Sequence, residues 1–484
     1  MFYPIFFCVL VALVCFCLAL EKKKGPGFLD GVIKTAAVAF IVFSMAGLLL
    51  PDLFACSHEL PTLETMIGTE FHAMIRWMNA VCFTVLPIAA FQKNHYFEKI
   101  ASFFCLPMAV VNVACFHQYI NYFTIDSYSG LQTVRLFSKA FKTFLINGDF
   151  RAIFFGITCM LQLLALILLT YRNRAKLSIR KPEIIKLIGI WVGVTYMSVP
   201  IYVPQYLFGH VDIKMIRFTP VHLAWIVLIV AIILVLYLAF QYKSYESKYL
   251  LVLSMSWALM LQFSQMFTAT AEINIMKLPL QLCNLGSYLA LIMILKKSDK
   301  IFHFTLIVNV VGAVIAIVIL DISKNASHLS RLWVVHYIVE HTKVLVVPIL
   351  CLVLRIFKPI EKRSIKHFAI GFTGYYLFVF LLGTISNGFY RMYEGEFIQN
   401  FFYANFLFMF DKETAGSLVS FAEPLFEMNV IKIAEVFEIY PVAQFWVYVI
   451  FMSVCLLAYV LIHALTKRQR DDYANNRYLK YDYR

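Results

Sequence analysis

The sequence predicts an all-α polytopic membrane protein of about thirteen transmembrane helices, with its N-terminus outside and its C-terminus in the cytoplasm. Three observations carry that prediction. Of the 484 residues, 61% are apolar and only 14% charged, whereas a soluble protein is nearer half apolar and a quarter charged. Apolar runs of about 20 residues recur along the whole chain, more than the core of one globule absorbs. The loops between them alternate in basic content, which is a topology signal.

Spans are expected near residues 2–20, 35–54, 71–91, 100–123, 152–171, 187–206, 221–240, 249–267, 278–295, 301–320, 332–357, 368–389 and 442–465. The first begins without a basic residue and is followed by Glu21-Lys22-Lys23-Lys24. A cleaved signal carries its charges in front, so this run reads as a span. The basic loops are Lys22 to Lys24, Arg172 to Lys186, Lys296-Lys297, Lys358 to Lys366 and the tail from Lys467. Assigned to the cytoplasm, they account for the net charge of +14 as a topology device and a contact with anionic lipid headgroups, not as a nucleic-acid surface.

Three regions follow: an N-terminal transmembrane half (1–210), a second half (211–466) with an outer cap at 390–441, and a basic cytoplasmic tail (467–484). Spans one to six and seven to twelve have the same layout, which suggests a parallel repeat of two six-helix halves. Leu131, Val134, Phe137, Phe141 and Phe144 recur at helical spacing, with Arg135, Lys139 and Lys142 on another face. They read as an interfacial helix or a packed connector helix. The cap is too apolar for a solvated loop and too interrupted for a clean span, so it is expected to lie on protein or line a cavity. The eleven Cys show no zinc-type spacing and no disulfide framework, and Cys56 stands alone in an outer loop.

The chemistry gathers between Lys277 and Pro348. Leu278-Pro279-Leu280-Gln281-Leu282-Cys283-Asn284 opens one span, and His336-Tyr337-Ile338-Val339-Glu340-His341-Thr342-Lys343 lies in another. Ionisable groups are costly in hydrocarbon, so such a cluster marks a candidate site. With the spans of both segments starting at the outer surface, Cys283, His336 and His341 fall at similar depth on one side. His222 stands at the mouth of span seven, and Asn405 in the cap. His336, Glu340 and Lys343 share one helix face at i, i+4 and i+7. A thiol beside an imidazole is the minimum for an activated thiolate. Catalytic roles are therefore expected for Cys283, His341 and Glu340, with His222, Gln281, Asn284, His336, Lys343 and Asn405 binding substrate. Against this stand blander readings. Cys283 is a small apolar filler, the histidines bond at the interface, and Glu340 with Lys343 is a buried ion pair that fixes packing. A metal held by His222, His336 and His341 is weighed and not assigned, and no cofactor motif is found.

From about Phe218 to Leu465 the chain resembles the YwaF-like family of bacterial integral membrane proteins. The resemblance lies in Phe218-Thr219-Pro220-Val221-His222-Leu223, in Leu278-Pro279-Leu280-Gln281-Leu282-Cys283, in His341 with Val347-Pro348, and in Ala404-Asn405-Phe406-Leu407-Phe408 with Tyr440-Pro441. Gln281 stands where the family has a His, and Glu340 where a small residue is usual. The resemblance implies a bacterial plasma membrane. Through eukaryotic relatives of that family it also implies acyl transfer on phospholipids by a membrane-embedded cysteine, with membrane phospholipids as partners. The alternative is a transporter or lipid-binding protein that uses the same pocket without covalent chemistry. A structural or assembly factor is a third class.

Overall fold

The computed structural model describes residues 2–47, 63–115, 148–201, 213–264, 275–320, 327–329, 332–393, 401–410 and 423–475. Cys56, the interfacial pattern between Leu131 and Phe144, and the end of the basic tail lie outside them. The chain divides into two compact units. One comprises Met1–His210 and Ser264–Ala271, the other Val211–Phe263 and Glu272–Arg484.

In the first unit the helices are α1 (Phe2–Lys24), α2 (Pro26–Gly47), α3 (Leu63–Gln92), α4 (His95–Ala114), α5 (Gly148–Asn173) and α6 (Lys181–Met197). Helix α5 packs chiefly on α2. Helix α4 starts at Asn94, whose side chain accepts from the Tyr96 and Phe97 N–H groups, and it carries a π-turn at Ala101–Cys105. One end of the unit is tied by charge. Arg172 reaches Asp30 at 2.5 Å and Glu98 at 2.7 Å, Lys34 and Lys93 also meet Asp30, and Lys99 meets Glu183 at 2.6 Å. Such partly buried charges stand because each has a partner; removing one leaves another uncompensated.

The second unit contains α7 (Pro220–Phe240), α8 (Tyr245–Ser264), α9 (Leu282–Leu295), α10 (Asp299–Ile319), α11 (Leu332–Val353) and α12 (Ser364–Met392). After them come the strands β1 (Ile431–Ile433) and β2 (Phe437–Ile439), then α13 (Pro441–Leu465) and α14 (Lys467–Ala474). Helix α10 also carries a π-turn, at Thr305–Asn309, after an N-cap at Ser298. Between lipid-soluble helices the hydrophobic effect gives little net drive, and close backbone packing at small residues does more. Gly371 of α12 illustrates this: a Cβ there would fall 2.6 Å from the Phe304 ring of α10.

Among the described residues nine helices are long and apolar enough to cross a membrane, against the thirteen spans expected. The other four expected spans fall on α3, α6, α8 and α9. The clearest shortfall is α9. Its 14 residues rise only about 21 Å at 1.5 Å each. Pro279 disfavours helix at the residue before it, and the helix begins at Leu282. Cys283 therefore sits in the first turn of a helix rather than several residues into a span. Of the expected cap, residues 390–393, 401–410 and 423–441 are described.

Candidate functional site

Leu278 to Gln281 lead into α9 without helical geometry. The Leu280 carbonyl accepts from the Tyr375 hydroxyl of α12 at 2.5 Å. Gln281 is the N-cap residue, with φ −65° and ψ 145°, but its side chain does not cap. It reaches the cap segment instead. Its Nε2 donates to the Asn405 carbonyl at 3.4 Å, and its Oε1 accepts from the Leu407 N–H at 3.5 Å. The first-turn N–H groups of α9 thus keep their donor capacity, as at any uncapped helix start. Those of Cys283 and Asn284 lie beside the Cys283 sulfur. The thiol itself donates to Asn284 Oδ1 at 3.4 Å, and Cys283 is partly accessible.

Helix α11 packs along α9. Its i, i+4 spacing brings His336 Nε2 to Glu340 Oε2 at 3.0 Å. Both residues are buried. Glu340 Oε1 accepts from Ser287 Oγ at 3.4 Å, and the Cys283 carbonyl is a second acceptor for the same hydroxyl, also at 3.4 Å. One hydroxyl proton serves one of them at a time. Glu340 is also within electrostatic reach of Cys283, and its Oε2 is engaged by His336. Lys343 does not complete the Glu340 ion pair weighed from the sequence; it donates to Gln262 of α8.

His341 makes no hydrogen bond to Glu340 but lies within electrostatic reach of it. Its Nδ1 lies 2.7 Å from the Tyr337 carbonyl, which can only accept, so Nδ1 carries the proton. Nε2 is then a lone-pair nitrogen, with no hydrogen-bond partner among the described residues. The Tyr337 ring lies 4.1 Å away, and its hydroxyl donates to the Ala316 carbonyl of α10. No hydrogen bond joins Cys283 and His341. The other two predicted residues are held by backbone. His222 Nδ1 accepts from the Phe218 N–H at 3.0 Å, and its Nε2 donates to the Ile317 carbonyl at 2.8 Å. Both nitrogens are used, and they clasp the start of α7 to the end of α10. Asn405 is buried; its Oδ1 accepts from the Phe410 N–H, and its own N–H meets Met276 Sδ. Among the described residues no group of three or more His, Cys, Asp and Glu side chains is placed to hold a metal ion.

Sequence reasoning missed Ser287 and Asn309. Ser287 lies one turn after Cys283, a spacing the sequence does offer. Asn309 lies in the π-turn of α10 and is fully buried. Its Nδ2 donates to the Leu282 carbonyl at 2.5 Å, while its Oδ1 has no hydrogen-bond partner. Gly286 makes room for it: a Cβ there would fall 3.0 Å from Asn309 Nδ2 and from Val344 Cγ1. Single π-turns inside helices recur at functional sites because they re-aim a side chain.

These features define a polytopic helical membrane protein whose second unit holds a buried polar cluster around one cysteine. Residues 217–464, just over half of the chain, match the TMEM164 family, and the protein belongs to that family. The match does not confirm the bacterial YwaF-like assignment. Comparison with curated proteins and with solved structures finds no match.

Proposed function

We propose that the protein is a phospholipid acyltransferase in which Cys283 carries the acyl group. The observation that carries this reading is the position of Cys283 in the uncapped first turn of α9, with two backbone N–H groups beside its sulfur. Helix N-termini present ready donors to a developing oxyanion. In the first half-reaction the Cys283 thiol leaves Asn284 Oδ1 and gives its proton to the unoccupied His341 Nε2. Sγ attacks the ester carbonyl carbon, a C–S bond forms, and the π-electron pair moves onto oxygen. Collapse breaks the ester C–O bond, and the leaving lysophospholipid oxygen takes the proton from His341. A second hydroxyl then attacks the thioester by the reverse sequence. His336 Nε2 holds Glu340 Oε2 at 3.0 Å and so fixes where that carboxyl stands relative to the sulfur.

The same reading includes the topology: N-terminus outside, C-terminus in the cytoplasm, and the site toward the outer leaflet. It also includes the repeat. One constant offset relates Lys93 to Lys297, both at positive φ, the N-caps Asn94 to Ser298, and the π-turns Ala101–Cys105 to Thr305–Asn309. That offset puts Asn79 at the position of Cys283, Cys82 at that of Gly286 and Cys105 at that of Asn309, so only the second unit has the nucleophile. The bacterial plasma membrane rests on the YwaF-like resemblance.

The test is the lipid acyl profile of cells expressing Cys283→Ser, with protein level checked, in a background where deletion changes the profile. The same change in the Cys283→Ser cells, with a hydroxylamine-sensitive acyl adduct on wild-type Cys283, supports acyl transfer. An unchanged profile overturns it and leaves a binding or transport role for the cluster.

A further inference from the structure

The segment between α12 and α13 has two unlike faces. Strands β1 and β2 pair antiparallel, with Ile431 opposite Ile439, Lys432 opposite Glu438 and Ile433 opposite Phe437. Residues directly opposite in such a pair point to the same side. One side is therefore Ile431, Ile433, Phe437 and Ile439, and the other is Lys432 and Glu438. Phe437 seats its ring on Gly388 of α12, where no Cβ fits. The β1 half of that apolar side overhangs: Ile431 is 49% exposed and Ile433 51%, continuing from Met428 at 50%.

The polar side is pinned at the ends of two spans. Glu438 meets Arg391, near the end of α12, at 2.7 Å and Lys432 at 3.3 Å. It also accepts from the hydroxyl of Tyr440, the residue before α13, at 2.6 Å. Arg, Lys and Tyr at span ends are residues that settle at the headgroup level with their apolar parts below it. The hairpin is thus fixed at the height where two helices enter the bilayer, with cations on one side and large aliphatic side chains open on the other.

We propose that this hairpin is a membrane-interface anchor. The overhanging Met428, Ile431 and Ile433 seat in the phospholipid leaflet at the end of the unit where α12 stops and α13 starts, and Lys432 stays among the phosphates. A protein partner would also cover an apolar strand. Continuity with two membrane-crossing helices and the cation on the opposite side favour lipid. The proposal does not depend on acyl transfer.

A photoreactive benzophenone amino acid at Ile433 tests it in the full-length protein, in native membranes, with Glu435 in the turn as the comparison. Irradiation should give phospholipid adducts at Ile433, several-fold more than at Glu435, read by mass spectrometry. Equal labelling at the two positions, cross-linking to another protein, or cross-linking to a second copy of the chain would overturn it. Ile431 replaces Ile433 as the labelled site if the first variant fails to accumulate.

Discussion

Asn309 donates through Nδ2 to the Leu282 carbonyl at 2.5 Å, a bond between the π-turn of α10 and the first turn of α9. That carbonyl belongs to the same peptide group as the Cys283 N–H. Hydrogen bonds in series polarise one another, so a donor on the carbonyl strengthens the N–H beside the thiol. Asn309 therefore acts on Cys283 through one peptide unit, as a positioning residue.

Replacing Asn309 by Leu should move the pH midpoint of Cys283 alkylation upward, because the N–H that favours the thiolate is weakened. Peptide-resolved mass spectrometry of maleimide labelling across pH measures this. An unchanged midpoint with a lowered melting temperature would reduce Asn309 to a packing role.

His341→Gln should lower acyl transfer by about 100- to 10,000-fold, the usual worth of general acid–base help, while leaving the helices folded. Single-turnover transfer from a labelled phospholipid by purified protein is the measurement. Activity within a few-fold of wild type would remove His341 from the mechanism and leave Nε2 without a chemical role.

Glu340→Gln removes the carboxylate that His336 meets at 3.0 Å. If that pair is ionised and buried, the loss should cost about 3–5 kcal/mol, seen in thermal unfolding in detergent. The double variant Glu340→Gln with His336→Leu should recover part of it, because no charge is left without a partner. No recovery would show that the two residues do not act as a pair.

The Tyr440 hydroxyl, with Arg391 and Lys432, holds the Glu438 carboxyl below its ordinary range. Its stabilising contribution is therefore full above the unfolded carboxylate pKa of about 4.3 and fades as pH falls through the lower folded value. Hydrogen exchange at Val436 to Ile439 should rise on acidification below about pH 4. The rise should vanish in Glu438→Gln, and its persistence there would assign it to another group.

In the hairpin turn, Ala434 and Glu435 both have positive φ, 53° and 61°, which side chains with a Cβ rarely adopt. Glu435→Gly should relieve about 1 kcal/mol of that strain. The expected readout is slower proteolysis of the hairpin. Faster cleavage would mean that the left-handed geometry is not what limits it.

The sequence by itself determined the membrane class, because apolar runs and scarce charges permit nothing else. It also put the thiol, the imidazoles and the carboxylate in two segments that do lie on packed helices. Periodicity fixed that His336 and Glu340 share a face one turn apart, since that follows from 3.6 residues per turn alone. Which neighbour each side chain takes was decided only by tertiary structure. Spacing offered Lys343 to Glu340 as readily as His336, but α8 puts Gln262 against Lys343. Gln281 and His222 take the backbone of the cap and of α10 as partners, which no spacing announces. Asn309 was invisible in an apolar run. Its meaning depends on a π-turn that aims it and on Gly286, across the helix interface, leaving the space it fills. A hydrogen bond needs two groups within about 3 Å, and a sequence orders residues along a chain without stating which of them meet across helices.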